Sequence, residues 1–159
     1  MKTTIPYVSY YDGTLNKDIC QSIIDRFESE KTNQKRTTME DVFNYTELNV
    51  SETEGWKDVE EMIVKLADKY SAIFMSDHSV SPILLPSAFE YEQVRIKKYS
   101  PELDDKFNIH SDANDVMSCR RFLIMLWYLN DVESGGETEI HDFRMKPKAG
   151  SLLVFPPFW

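Results

Sequence analysis

His110-Ser111-Asp112, followed by Tyr128-Leu129-Asn130-Asp131-Val132, Gly135-Gly136-Glu137-Thr138 and Leu152-Leu153-Val154-Phe155-Pro156, is the stretch whose reading decides the fold. Alternate residues of an extended chain point to one face, so a histidine and an aspartate two apart at a strand end can aim at a single ion. A neutral imidazole nitrogen and a carboxylate oxygen suit a first-row divalent metal such as Fe(II). A bare H-x-D is also an ordinary self-capping turn, since aspartate bonds its own backbone at loop starts. The ordered strands and turns behind it favour the metal reading.

Outward from the motif, residues 89–159 read as short strands punctuated by turns. Phe89 to Tyr99 is a predicted strand, Ser100 to Asp105 a polar turn, and Phe107 to His110 a short strand that delivers the motif. Arg121 to Leu129 is a dense apolar run, predicted to be buried on both faces. Trp127 and Tyr128 must then point to opposite sides. Gly135-Gly136 marks a tight reversal into a strand from Glu137, and Lys148-Ala149-Gly150 turns into a strand over Ser151 to Phe155. Pro147, Pro156 and Pro157 fall at strand boundaries, where a missing donor is tolerated. Such spacing implies a mainly β fold, a sandwich or jelly roll with flanking α-helices.

The motif and the segments after it resemble the iron(II)/2-oxoglutarate-dependent dioxygenases, specifically their prolyl 4-hydroxylase-like branch. The resemblance covers roughly residues 89–159 and implies a double-stranded β-helix that lacks its last core strands in these 159 residues. It implies Fe(II) held by His110 and Asp112, 2-oxoglutarate as cosubstrate, and ascorbate as a reductant. It places Tyr99 at the family tyrosine whose hydroxyl bonds the cosubstrate; a core tyrosine with a satisfied hydroxyl is the competing reading. The family's third ligand is a histidine just past the Leu152-to-Phe155 strand, hence expected beyond Trp159, followed by an Arg or Lys that grips 2-oxoglutarate. His141 is the one later histidine within the sequence and comes too early to match. It reads as a strand-end residue, with a rearranged triad as the alternative. Arg95, Arg120 and Arg121 receive no role, and Ile124 replaces a polar cosubstrate contact of some relatives. Glu137 and Asp131 read as barrel-shaping and turn residues. Asn108, Ser111, Ala113 and Asn114 either meet substrate or are solvated loop.

The resemblance implies hydroxylation of a peptide or amino-acid side chain, prolyl included, on a peptide, protein or small-molecule substrate. Two other functions stay open. One is a non-catalytic jelly-roll binding module with an incomplete metal site; the other is a cupin-like metalloenzyme using His110, Asp112 and His141 without 2-oxoglutarate.

The rest of the chain reads as support. Residues 15–30 place Leu15, Ile19, Ile23, Ile24 and Phe27 on one helical stripe, with Thr14 as the expected N-cap. A strand is predicted over 44–50. A second amphipathic helix over 55–76 carries Trp56, Val59, Met62, Ile63, Leu66, Tyr70, Ile73 and Phe74. The expected organisation is one domain over 1–159, a helical supporting region (1–88) and the β-helix core (89–159).

With 42% apolar residues and a net charge of −9, the composition is globular and opposes non-specific attraction to nucleic acid or anionic membrane. No apolar run approaches the roughly 18–20 residues of a membrane span. The first seven residues lack a signal-peptide core. Cys20 and Cys119 suggest no disulfide framework, Cys20 reading as a buried thiol, so a cytoplasmic location is expected.

Overall fold

The computed structural model describes residues 7–158, so Trp159 lies outside the described residues. In chain order the elements are β1 (Ser9–Tyr11), α1 (Lys17–Ser29), β2 (Lys35–Met39), β3 (Phe43–Asn49), α2 (Lys57–Asp77), β4 (Arg95–Lys98), β5 (Lys106–Phe107), β6 (Ile124–Trp127), β7 (Thr138–Ile140), β8 (Phe143–Met145) and β9 (Leu152–Phe155). The strands form three antiparallel sheets. One has the order β1-β9-β6, and one the order β2-β3-β4 with β5 paired to the start of β3; β7 and β8 form a hairpin. No helix among the described residues is long and apolar enough to cross a membrane.

This is a mixed α/β architecture rather than the expected mainly β jelly roll, and no closed double-stranded β-helix forms among the described residues. Strands of two to seven residues leave long unladdered connections between the sheets. The strand expected over Phe89–Tyr99 shrinks to Arg95–Lys98. Its partner β3 ends at Asn49 and the chain turns away after Val50, so no strand among the described residues pairs with residues 89–93, which are held by side-chain contacts instead. The sheet that precedes the motif draws its central strand, β3, from the segment expected to be helical support.

The strand buried on both faces is β9, not the 121–129 run. All four β9 side chains are buried because it lies between β1 and β6. Full burial is worth about 1.5–3 kcal/mol for each such aliphatic or Phe side chain, which makes β9 the anchor of its sheet. β6 occupies the sheet edge and is only half buried, with Leu126 exposed. Its faces do alternate: Ile124 and Tyr128 pack toward Leu153 and Phe155, while Met125 and Trp127 pack toward Leu152, Val154 and Phe74 of α2.

The helices cover these sheets. On α1 the buried face is Cys20, Ile23 and Phe27; Ile19 is exposed, which corrects the expected stripe. Ile23 and Phe27 pack with Leu48, Val50, Trp56 and Val59 beneath β3 and β4. Asn16, rather than Thr14, caps α1 by accepting from the Asp18 amide at 2.7 Å. Thr14 serves a different contact: its amide and hydroxyl both donate to the Gly150 carbonyl at 2.8 Å, and its oxygen accepts from Trp127 Nε1 at 3.1 Å. Trp56 ends up fully buried just ahead of α2, with the Arg26 guanidinium 4.3 Å over its ring.

Candidate metal centre

After β4 the chain makes a single 3-10 turn at Pro101–Leu103 and returns as β5 to the start of β3, where Phe107 sits opposite Phe43. Arg36 and Asp105 pin this excursion: Asp105 accepts from both terminal nitrogens of Arg36 and from the Ser100 amide at 2.9 Å. Asn108 continues the path, its amide bonded to the Val42 carbonyl at 2.8 Å and its side chain to the Asp41 carbonyl at 2.9 Å. The strand expected to run through His110 therefore stops at Phe107, and the motif itself lies in the loop beyond.

The structure brings His110 and Asp112 together. His110 Nε2 lies 3.6 Å from Asp112 Oδ1, and both side chains are a little over a quarter exposed. His110 Nδ1 lies 2.7 Å from the Asn108 carbonyl oxygen, which can only accept, so Nδ1 carries a proton and Nε2 is the nitrogen that faces Asp112. That is the arrangement metal-binding histidines use, one nitrogen fixed by a carbonyl and the other free to ligate. Two bonds of about 2.0–2.2 Å, by analogy with zinc–histidine and zinc–carboxylate sites, span a 3.6 Å gap. Asp112, with the Asn108 carbonyl assisting and burial opposing, raises the His110 pKa above the usual imidazole value.

The motif loop is held from three sides. The His110 ring stacks on Phe107, centroids 3.7 Å apart and planes 4° apart. The Pro157 carbonyl accepts from the Asp112 amide at 3.1 Å and the Ser111 hydroxyl at 3.2 Å, tying the loop to the segment after β9. Arg121, given no role from sequence, donates to the Asp112 backbone carbonyl at 2.6 Å while its Nε pairs with Glu92 at 2.8 Å. Of the flanking residues, Asn108 and Ser111 are thus engaged in shaping the loop, and the Asn114 amide bonds the Ser118 hydroxyl at 3.1 Å.

Tyr99 shares one sheet face with Tyr45 and Phe107. Its ring lies 5.6 Å from that of Tyr45, and its pKa is raised by burial and by the neighbouring Tyr45, Asp105, Asp112 and Glu47. It is 43% exposed and its hydroxyl has no hydrogen-bond partner among the described residues, so it is not a satisfied core tyrosine. Lys97, also on this face, holds its ammonium 4.6 Å over the Tyr45 ring and 5.1 Å over Phe107.

His141 is elsewhere in role: it occupies the β7–β8 turn in a left-handed conformation, φ 52°, between Ile140 and Phe143. Among the described residues no set of three His, Cys, Asp or Glu side chains comes together to hold a metal, so His141 does not complete the His110–Asp112 pair. Asp131 is a turn residue, accepting from the Ala149 amide at 2.8 Å and from Lys17. Trp127 and Tyr128 do face opposite ways, but each is engaged at distance from the motif, Tyr128 donating to Thr138 at 2.7 Å.

No curated protein and no solved structure matches the chain. The family model described as the 2OG-Fe(II) oxygenase superfamily matches residues 94–159, a span that holds Lys97, Tyr99, Phe107, His110, Asp112 and Arg121. With a histidine and an aspartate converging inside that span, residues 94–159 are a 2OG-Fe(II) oxygenase superfamily domain, a family of enzymes that implies Fe(II) and 2-oxoglutarate.

Proposed function

We propose that the protein is an oxygenase of the prolyl 4-hydroxylase-like branch that hydroxylates a peptide or amino-acid side chain, with prolyl residues as the first substrates to test. The observation that carries this is the convergence of His110 Nε2 and Asp112 Oδ1 to 3.6 Å inside the matched segment. The donor set fits Fe(II): one imidazole nitrogen and one carboxylate oxygen, on side chains that are both partly open to solvent. Iron chelated by 2-oxoglutarate supplies, when bound, oxygen activation coupled to decarboxylation of the cosubstrate to succinate.

The chain's own residues hold and orient. The Asn108 carbonyl fixes the His110 tautomer, Phe107 fixes the ring plane, and Pro157 with Arg121 fixes the backbone on both sides of Asp112. The Tyr99 hydroxyl, without a protein partner among the described residues, is a donor for the cosubstrate. Among the described residues no third His, Cys, Asp or Glu joins the His110–Asp112 pair. Ascorbate is the reductant to include, a peptide, protein or small molecule the substrate.

A second reading, a binding module with an incomplete metal site, is favoured by the two-residue donor set. One experiment separates them: succinate release with Fe(II), 2-oxoglutarate, ascorbate and proline-containing peptides, with metal uptake measured alongside. Succinate that disappears in His110→Ala and Asp112→Ala supports the oxygenase. Metal uptake without succinate on any peptide or in its absence supports the module, and no uptake removes the metal assignment of both residues.

A further inference from the structure

Three cations lie on the sheet face and loop beside the motif, and they differ in how they are satisfied. Arg95 faces Glu47 at 3.5 Å, and Arg121 is paired with Glu92 and bonded to the Asp112 carbonyl. Lys97 alone has no carboxylate within ion-pair distance among the described residues. Its ammonium rests instead over the rings of Tyr45 and Phe107, and Phe107 is the ring stacked on His110. Lys97 is therefore one aromatic ring away from the candidate metal ligand, on the face that also carries Tyr99.

The placement is unfavourable for a cation unless something anionic arrives. Lys97 keeps exposed surface as a residue, yet burial is the main influence on its ammonium and lowers its pKa, with Arg95 and Arg121 adding repulsion. Asp112 and Glu47 offset this only from a distance. Ring faces hold an ammonium by about 0.5–2 kcal/mol and leave its N–H donors largely unused. A carboxylate brought to the same point gains charge-assisted hydrogen bonds that neither ring supplies.

We propose that Lys97 is an anion-recognition residue of this site, receiving a carboxylate borne by the molecule bound at His110 and Asp112. The inference rests on the oxygenase reading of that pair. The carboxylate comes either from the cosubstrate or from an acidic group on the substrate, and the two sources give different results below.

The test uses the whole chain and separates metal from anion. Mn(II), a redox-inert probe, is titrated into the wild type and His110→Ala; a lower affinity in His110→Ala supports the underlying reading. On the Mn(II)-loaded protein, acylation of the Lys97 amine by an amine-specific reagent is then followed by mass spectrometry. The additions compared are 2-oxoglutarate, peptides containing Asp or Glu, and the same peptides with Asn or Gln. Protection by 2-oxoglutarate assigns Lys97 to the cosubstrate; protection by acidic but not neutral peptides assigns it to the substrate. Lys97→Met should weaken binding of the protecting molecule about tenfold or more, and Lys97→Arg should largely restore it. Unchanged acylation with every addition, while Mn(II) uptake is intact, overturns the role of Lys97 and leaves the metal reading standing. Absence of Mn(II) uptake by the wild type overturns both. The acylation measurement needs no variant, so a misfolded Lys97→Met would not decide the outcome.

Discussion

The His110 imidazole lies parallel to the Phe107 ring, with centroids 3.7 Å apart and an interplanar angle of 4°. Phe107 is fixed in turn by the edge of Phe43, 5.0 Å away, across the β3–β5 pairing. The sheet thus sets the plane of the candidate ligand although the ligand itself lies in a loop. Phe107→Ala should lower Fe(II) or Mn(II) affinity by about tenfold, the lower range for losing a group that orients a metal ligand. Phe107→Tyr, which keeps the stacked ring, should bind metal like the wild type. Equal affinity in all three proteins, measured by titration, would show that the stack does not position His110.

Gly150 joins the two halves of the chain. Its carbonyl accepts the amides of Thr14 and Leu15, its amide donates to Tyr128 at 2.8 Å, and its φ is +81°. A Cβ there would overlap the Leu15 carbonyl oxygen, which is backbone and cannot rotate away. Gly150→Ala combines that clash with a left-handed backbone. It should cost about 3–4 kcal/mol, near the upper end for single substitutions. Urea denaturation measures this, and a loss below about 1 kcal/mol would show that the loop relaxes freely.

Asp105 gives the fold an acid-sensitive element. Hydrogen bonding from Arg36, with the Ser100 amide assisting, holds its carboxyl below the usual carboxylate range. A carboxyl whose folded pKa is depressed adds stability above its unfolded value of about 3.9, and that contribution is lost as pH falls through the folded value. Asp105→Asn should therefore lower stability at pH 7 by about 1–2 kcal/mol, a charge-assisted hydrogen bond being replaced by a weaker one. The gap to the wild type should close below about pH 4. Thermal melts at pH 7, 5 and 3 check it; a gap that persists unchanged at pH 3 contradicts the assignment.

What was legible in the sequence is uneven, for physical reasons. The two helices, the Tyr45 strand and the β9 strand follow from periodicities of 3.6 and 2 and appear within a few residues of their expected bounds. The pairing of His110 with Asp112 was legible because it is local, two residues apart. Burial of the 121–129 run was misread because apolar content does not reveal whether a strand is central or at an edge. Only the topology β1-β9-β6, with β1 from the other end of the chain, shows that β9 is the central one. Lys97 could have been found, since Arg95, Lys97 and Tyr99 alternate onto one face. Arg121 could not, because eight residues of loop and a single 3-10 turn separate it from the Asp112 carbonyl it holds.

Arg121 is accordingly the sharpest test of how the loop is positioned. Its Nη1 donates to the Asp112 carbonyl at 2.6 Å and its Nε to Glu92 at 2.8 Å, so one planar fork spans the motif and the segment before β4. Lysine has the charge but not the fork, and cannot make both contacts in one geometry. Arg121→Gln and Arg121→Lys should both fold, since the side chain is not part of any buried cluster. Both should bind Mn(II) more weakly, by about tenfold for a lost orienting contact, with Arg121→Lys the milder. An electrostatic role alone predicts a different pattern: Arg121→Lys would match the wild type and only Arg121→Gln would lose affinity. Titrations at low and high salt separate the two, because a geometric effect persists at 0.5 M salt while an effect of net charge at a part-exposed site is screened there. Wild-type affinity in Arg121→Gln at both salts would remove Arg121 from the site.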